Sequence, residues 1–186
     1  MPRLSSFTQL SLNGFYADAN SDMSWAHKAP DDTEWNDWVA GNAGGGGMLL
    51  FGRTTYELMI KWWPTPQAIQ SMPAVANAMN AMPKVVFSKT MDKASWHNTR
   101  VENDLVAGVK KLKSQAGPDM VILGSGRLVA QLAEARLIDS FQFVINPLAL
   151  GGGKTLFGGV RAPVALKLTQ TRAFENGNVV LWYEPR

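Results

Sequence analysis

Three short stretches of the sequence put glycine, hydroxyl and cation at the end of an apolar run, a combination suited to gripping phosphate. The first is Gly52-Arg53-Thr54-Thr55, which follows the run 48–51 and opens a helical pattern carrying Glu57. Open α/β sheets bind ligands beyond the carboxyl ends of their strands, where a helix start adds N–H donors and the positive end of its dipole. The same residues also read as a Thr-capped helix with a solvated Arg53. The second stretch is Gly124-Ser125-Gly126-Arg127-Leu128 after the run 120–123. Its glycines tolerate positive φ and let the backbone close on a pyrophosphate, although Val129 stands where the dinucleotide fingerprint has its third glycine. The third is Ser88-Lys89-Thr90, a hydroxyl and an ammonium that suit either a further phosphate or a surface loop.

A fourth stretch, Leu150-Gly151-Gly152-Gly153-Lys154-Thr155-Leu156-Phe157, ends like a phosphate loop, but the glycine that pattern requires earlier is Leu148. It reads instead as a turn between strands. Gly44 to Gly47 has no helix after it to present N–H groups and reads as a flexible loop. Cysteine is absent, which excludes disulfides, thiol nucleophiles and cysteine–zinc sites, and two histidines far apart in sequence leave no metal site to expect.

Seven tryptophans are present, and five of them, Trp25, Trp35, Trp38, Trp62 and Trp63, fall in one region. They suit either an aromatic slot for a flat ring or ordinary core packing. Trp25, Trp35, Trp38 and Trp62 are the candidates for substrate contact. The acids beside them are Asp31, Asp32, Glu34 and Asp37. Asp31 and Asp32 serve equally well as helix caps, and Asp37, between Trp35 and Trp38, is the candidate proton donor if burial raises its pKa.

The elements that must hold these residues alternate. Runs 6–12, 48–51, 84–87, 120–123, 141–145, 164–169 and 179–183 read as strands, several apolar throughout, as parallel strands covered on both faces would be. Segments 32–39, 54–60, 73–81, 105–115 and 128–135 read as helices. Asn176-Gly177 marks a reverse turn that joins the last two strands as an antiparallel pair. The expectation is an α/β fold, one domain over 1–186, with a mostly parallel central sheet. No apolar run is long enough to cross a bilayer, and the N-terminus has no signal-peptide pattern, so a cytoplasmic protein is expected. The net charge of +3 comes from scattered Lys and Arg, which argues against a nucleic-acid partner.

Taken in order, these pieces resemble the reductases of the dihydrofolate reductase fold. They are most similar to the reductase domain of the riboflavin-biosynthesis deaminase/reductase family and its stand-alone bacterial relatives. The resemblance rests on Ser11-Leu12-Asn13-Gly14-Phe15, the Gly52 to Glu57 stretch, Ser88-Lys89-Thr90, Leu123-Gly124-Ser125-Gly126, Leu137-Ile138-Asp139, and Pro147 to Gly153 followed by Leu156-Phe157. It implies a homodimer that binds NADPH and passes hydride to a small, planar, pterin- or pyrimidine-like heterocycle. It places Gly52, Arg53, Thr54 and Thr55 at the phosphates, Ser88 and Lys89 at the 2′-phosphate, and Gly124, Ser125, Gly126, Arg127 and Leu128 at the pyrophosphate. Asn13 and Gly14 would lie near the nicotinamide. The riboflavin enzymes usually carry an acid where this chain has Leu123, which argues against their ribityl substrate. The alternative is an NADP(H)-binding sensor without turnover.

Overall fold

The structure is a computed structural model that describes residues 1–27 and 31–186. Its strands are β1 (Leu4–Ser11), β2 (Phe15–Asp18), β3 (Met48–Gly52), β4 (Lys84–Phe87), β5 (Thr99–Glu102), β6 (Met120–Leu123), β7 (Ser140–Asn146), β8 (Gly153–Thr155), β9 (Leu166–Ala173) and β10 (Val179–Pro185). The helices are α1 (Thr33–Gly44), α2 (Arg53–Met59), α3 (Pro66–Ser71), α4 (Pro73–Ala81), α5 (Leu105–Ser114) and α6 (Gly126–Glu134).

One sheet runs in the order β5-β4-β3-β6-β1-β7-β10-β9, and β2 pairs with β8 in a small second sheet. From β5 to β7 all neighbours are parallel, while β10 is antiparallel to both β7 and β9. This is the mostly parallel sheet with antiparallel C-terminal strands that the alternating runs implied.

The apolar runs are continuous because both sheet faces are covered. In β3, Leu50 joins a core built with α5 and α6, through Val109, Val129 and Leu132, while Leu49 and Phe51 pack with Tyr56, Val75 and Met79 of α2 and α4. Alternate side chains of a strand point to opposite faces, so a strand between two helical layers has no polar side. A third cluster joins Trp35 of α1 and Phe174 to Val144 and Val180 of the sheet.

Several elements differ from the sequence reading. Helix α1 continues to Gly44 rather than ending at 39, because Val39, Ala40 and Ala43 pack onto the α2/α4 core and hold its glycine-rich end in place. Strand β9 begins at Leu166 and runs on to Ala173, past the last apolar position before it, Leu168, through the exposed and polar Thr169–Arg172. Strands β2, β5 and β8 and helix α3 are additional; each is short, and all three residues of β8 are exposed.

Candidate active site

The carboxyl ends of the parallel strands bring the glycine stretches together. The chain leaves β3 through α2 on one face of the sheet and leaves neighbouring β6 through α6 on the other. Diverging connections of this kind open a crevice at the strand ends, the usual ligand seat of such sheets.

At that crevice Ser125 is the keystone. It adopts a left-handed conformation, φ 53° and ψ 62°, following Gly124 at φ 58°. Its hydroxyl does not cap its own helix; Oγ accepts from the Gly52 N–H at 2.8 Å and donates to Thr55 Oγ1 at 2.7 Å. A glycine at 52 suits this approach, since a Cβ there would lie a tight 3.0 Å from Ser125 Oγ and 3.1 Å from Leu128 Cδ1. The two helix starts are thus fastened to each other, with the first-turn N–H groups of Gly126 and Arg127 beside the joint, that of Leu128 being taken by Ser125 O at 2.8 Å.

Next to it, Arg53 is held rather than free. Its Nε donates to Glu57 at 2.7 Å and Nη1 donates to Thr90 Oγ1 at 2.8 Å. Ser88 Oγ accepts from the N–H groups of Thr90 and Met91, at 3.2 and 3.1 Å, which shapes the turn after β4. Lys89 and Thr54 are exposed, as is Arg127, while Leu128 is buried and its N–H goes to Ser125 O at 2.8 Å.

Asn13 and Gly14 form the turn between β1 and β2. Asn13 Nδ2 donates to Leu150 O at 2.7 Å, and its Oδ1 accepts from Leu150 N–H at 3.1 Å and from Ser11 Oγ at 2.8 Å. With Leu12 N–H donating to Leu148 O at 2.7 Å, the β1–β2 turn is sewn to the loop after β7. Gly153 in that glycine-rich stretch belongs to β8, and a Cβ there would strike Ala17 O at 2.2 Å, so close strand pairing explains it without any phosphate.

The structure separates the tryptophans. Trp35, only 4% exposed, packs against Trp38 and Phe174 with ring centroids 4.9 and 5.0 Å away, and Trp38 also meets Phe7 and Trp182. These two bind α1 to the sheet. Trp25 donates from Nε1 to Asp22 O at 3.2 Å in the β2–α1 connection, and Trp62 is 45% exposed at the turn after α2. The Asp22 carboxyl is held below its ordinary pKa by hydrogen bonds from the Ser24 hydroxyl and N–H. Asp32 is the N-cap of α1, accepting from Trp35 N–H at 3.1 Å, and its other oxygen takes Asn176 Nδ2 at 2.6 Å. Asp37 is exposed, so the burial on which its role as a proton donor depended is missing.

Sequence reasoning missed Tyr16. Its ring lies over Gly126, so close that a Cβ at that glycine would be 2.3 Å from Tyr16 Cε1. Gly126 therefore makes room for an aromatic wall as well as for any ligand. Among the described residues no cluster of His, Asp and Glu is arranged to hold a metal, and no helix is long and apolar enough to cross a membrane. Two hollows, of about 500 Å³ beside Phe157 and Pro163 and about 370 Å³ beside Asn80 and Trp96, lie away from this crevice.

A mostly parallel sheet with a left-handed glycine turn at one strand end and a clamped arginine at the next is an α/β fold with its crevice at the carboxyl ends of the strands. Solved structures agree on that fold. A putative riboflavin biosynthesis protein from Shewanella sp. PV-4 superposes with a TM-score of 0.77 at 19% identity, covering 99% of each chain. Dihydrofolate reductase from Enterococcus faecalis, solved with NADP(H), superposes with a TM-score of 0.65 at 15% identity over 99% of this chain and 96% of its own. The chain belongs to the RibD C-terminal domain family, whose model matches residues 2–180. A relative, the uncharacterized protein YyaP of Bacillus subtilis (strain 168), is 26% identical over 176 residues, 94% of this chain and 90% of that protein. Family and fold together support an oxidoreductase of the pyrimidine- or pterin-reductase type.

Proposed function

We propose that the chain is an NADPH-dependent reductase that transfers hydride to a small planar heterocycle. The observation that carries the reading is the joint in which Ser125 Oγ ties the β3–α2 turn to the start of α6, with Arg53 braced by Glu57 and Thr90 alongside. The residues present fit the cofactor. Within 124–128 the backbone N–H groups of Gly126 and Arg127 are the donors at the start of α6, those of Gly124 and Leu128 going to Phe7 O and Ser125 O; Gly52, Arg53, Thr54 and Thr55 form the adjoining rim, and Ser88 and Lys89 supply a hydroxyl and an exposed ammonium for a 2′-phosphate. Asn13 and Gly14 line the end assigned to the nicotinamide, and a Cβ at Gly14 would meet nothing within 4 Å, so that turn leaves open space.

When bound, the reduced nicotinamide supplies the hydride. The chain's own contribution is orientation: a fastened pair of helix starts and a β1–β2 turn pinned through Asn13 fix where the cofactor and acceptor meet, which is where most of the rate acceleration would arise. Neither Asp32, engaged on both oxygens, nor exposed Asp37 is assigned the proton, which we take from water. The reading is completed by a homodimer, as the family resemblance implies, acting in the cytoplasm.

The test is a pair of titrations with NADPH and NADH on wild-type protein and on Lys89→Ala. Charge-assisted hydrogen bonds contribute about 1.5–3 kcal/mol each, or about tenfold or more in affinity. Lys89→Ala should weaken NADPH by that factor and leave NADH unchanged. Wild-type protein that binds both cofactors equally would sink the assignment of Arg53, Ser88 and Lys89. NADPH binding with no oxidation across pterins, pyrimidines, quinones and aldehydes would make the chain a sensor instead.

A further inference from the structure

On the α1 side of the sheet, just before the β1–β2 turn, two amides are locked together. Asn146 is fully buried at the end of β7, and its Nδ2 faces Leu10 O at 3.1 Å, Val144 O at 3.4 Å and Gln9 Oε1 at 2.9 Å. Backbone carbonyls only accept hydrogen bonds, so the atom turned toward two of them must be the nitrogen. The Gln9 atom that meets this nitrogen must in turn be its oxygen. The backbone thereby fixes which end of Gln9 is which. Nε2 is left as a donor with no partner among the described residues, on a half-buried side chain that reaches solvent.

The position of Gln9 gives that donor a use. Gln9 pairs in register with Val144 and stands on the same face as Phe7, beside the aromatic cluster of α1. Ser11, Asn13 and Gly14 follow it directly. The register Val179↔Ile145 carries Asn178 opposite Asn146, and Asn146 Oδ1 and both polar atoms of the Asn178 side chain are buried without a partner among the described residues. This sheet end is polar where a core would ordinarily be apolar.

Resting on the reading of these strand ends as a reductase cleft, we infer that Gln9 selects the substrate by donating from Nε2 to a carbonyl oxygen or ring nitrogen of a neutral cyclic amide. Asn146 is the positioning residue that keeps the donor outward. A fixed, uncharged N–H donor favours an acceptor edge, as in a pyrimidinone, over a cationic amidine, for which a carboxylate would be the matching partner.

The decisive experiment is calorimetric titration of protein saturated with NADP⁺, using 5,6-diaminouracil as the cyclic amide and 2,4-diaminopyrimidine, in mildly acidic buffer, as the amidinium. Gln9→Glu keeps an oxygen for Asn146 Nδ2 and replaces only the outward donor. Wild-type protein should prefer the uracil; Gln9→Glu should reverse the preference, each ligand changing by about tenfold, the worth of one such hydrogen bond. Gln9→Leu should weaken the uracil without favouring the amidine. Asn146→Leu should also weaken the uracil, with the double variant no weaker than Gln9→Leu alone, and should it fail to fold the Gln9→Glu reversal still decides. An unchanged preference in Gln9→Glu, or wild-type protein that takes NADP⁺ but not the uracil, overturns the assignment. Wild-type protein that takes no NADP⁺ overturns the cleft reading beneath it.

Discussion

Replacing Gly126 by alanine tests whether the first turn of α6 is built around Tyr16. The added Cβ would lie 2.3 Å from Cε1 and 2.8 Å from Cδ1 and Cζ of the ring. Ordinary contact begins at 3.4 Å, so the ring must retreat by about 1.1 Å or the helix start must shift. Tyr16 cannot swing freely, because it packs on the core formed with α5 and α6. Overpacking of this kind costs about 1–3 kcal/mol, and in a domain of this size each kcal/mol lowers Tm by roughly 2–4 °C. Thermal denaturation of Gly126→Ala should therefore show a drop of roughly 2–12 °C. Adding Tyr16→Ala should restore part of it, since the two residues share one contact. NADPH affinity should fall in the single variant, because the helix start that carries the donors has moved. Gly126→Ala with wild-type Tm would refute the packing argument and leave the glycine to the ligand alone.

Two other substitutions probe different supports. Ser125→Ala removes the acceptor of the Gly52 N–H and the donor to Thr55, and should lower stability by about 1–2 kcal/mol while weakening NADPH; urea denaturation and titration unchanged from wild type would contradict the keystone role. Lys84 is 1% exposed, with Nζ donating to Asn80 O, Met82 O and His97 O and lying 4.6 Å from the Trp96 ring, and its burial lowers the pKa from 10.5 to about 8. Between those two values the unfolded chain holds the proton and the folded one does not, so stability gained at this site rises with pH across that window and is flat below it. The stability difference between wild type and Lys84→Met should shift toward wild type from pH 8 to 10.5, and a constant difference would contradict it.

The parts of the fold that were legible in the sequence are those whose burial is uniform. The runs 48–51, 84–87 and 120–123 coincide with β3, β4 and β6 because strands covered on both faces carry apolar side chains on both, with Lys84 at the start of β4 the one charged exception among them. Strand β5, Thr-Arg-Val-Glu at the sheet edge, and β8, Gly-Lys-Thr in the open, carry no such signature; their partners, not their composition, make them strands. The glycines of the site were visible because left-handed turns and close approaches demand them, as φ 58° at Gly124 does. What surrounds them was not. Tyr16 over Gly126, Arg53 with Thr90, and Gln9 with Asn146 join positions 110, 37 and 137 residues apart, and no local spacing encodes such pairs. For the tryptophan-rich region the sequence left two readings open, an aromatic slot and core packing. Trp35 and Trp38 have the composition of an aromatic slot, but α1 needs a heavy apolar face to dock on the sheet and spends both there.

Amide hydrogen exchange with and without saturating NADPH tests the central claim most directly, since a ligand bound to the native state suppresses local opening where it sits. The account predicts slowed exchange in 52–55, 88–90 and 124–128, together with the β1–β2 turn at 12–14, and no change around the hollow at 157–164. Protection confined to that hollow, or absent from 124–128, would contradict the placement of the cofactor at the carboxyl ends of β3, β4 and β6.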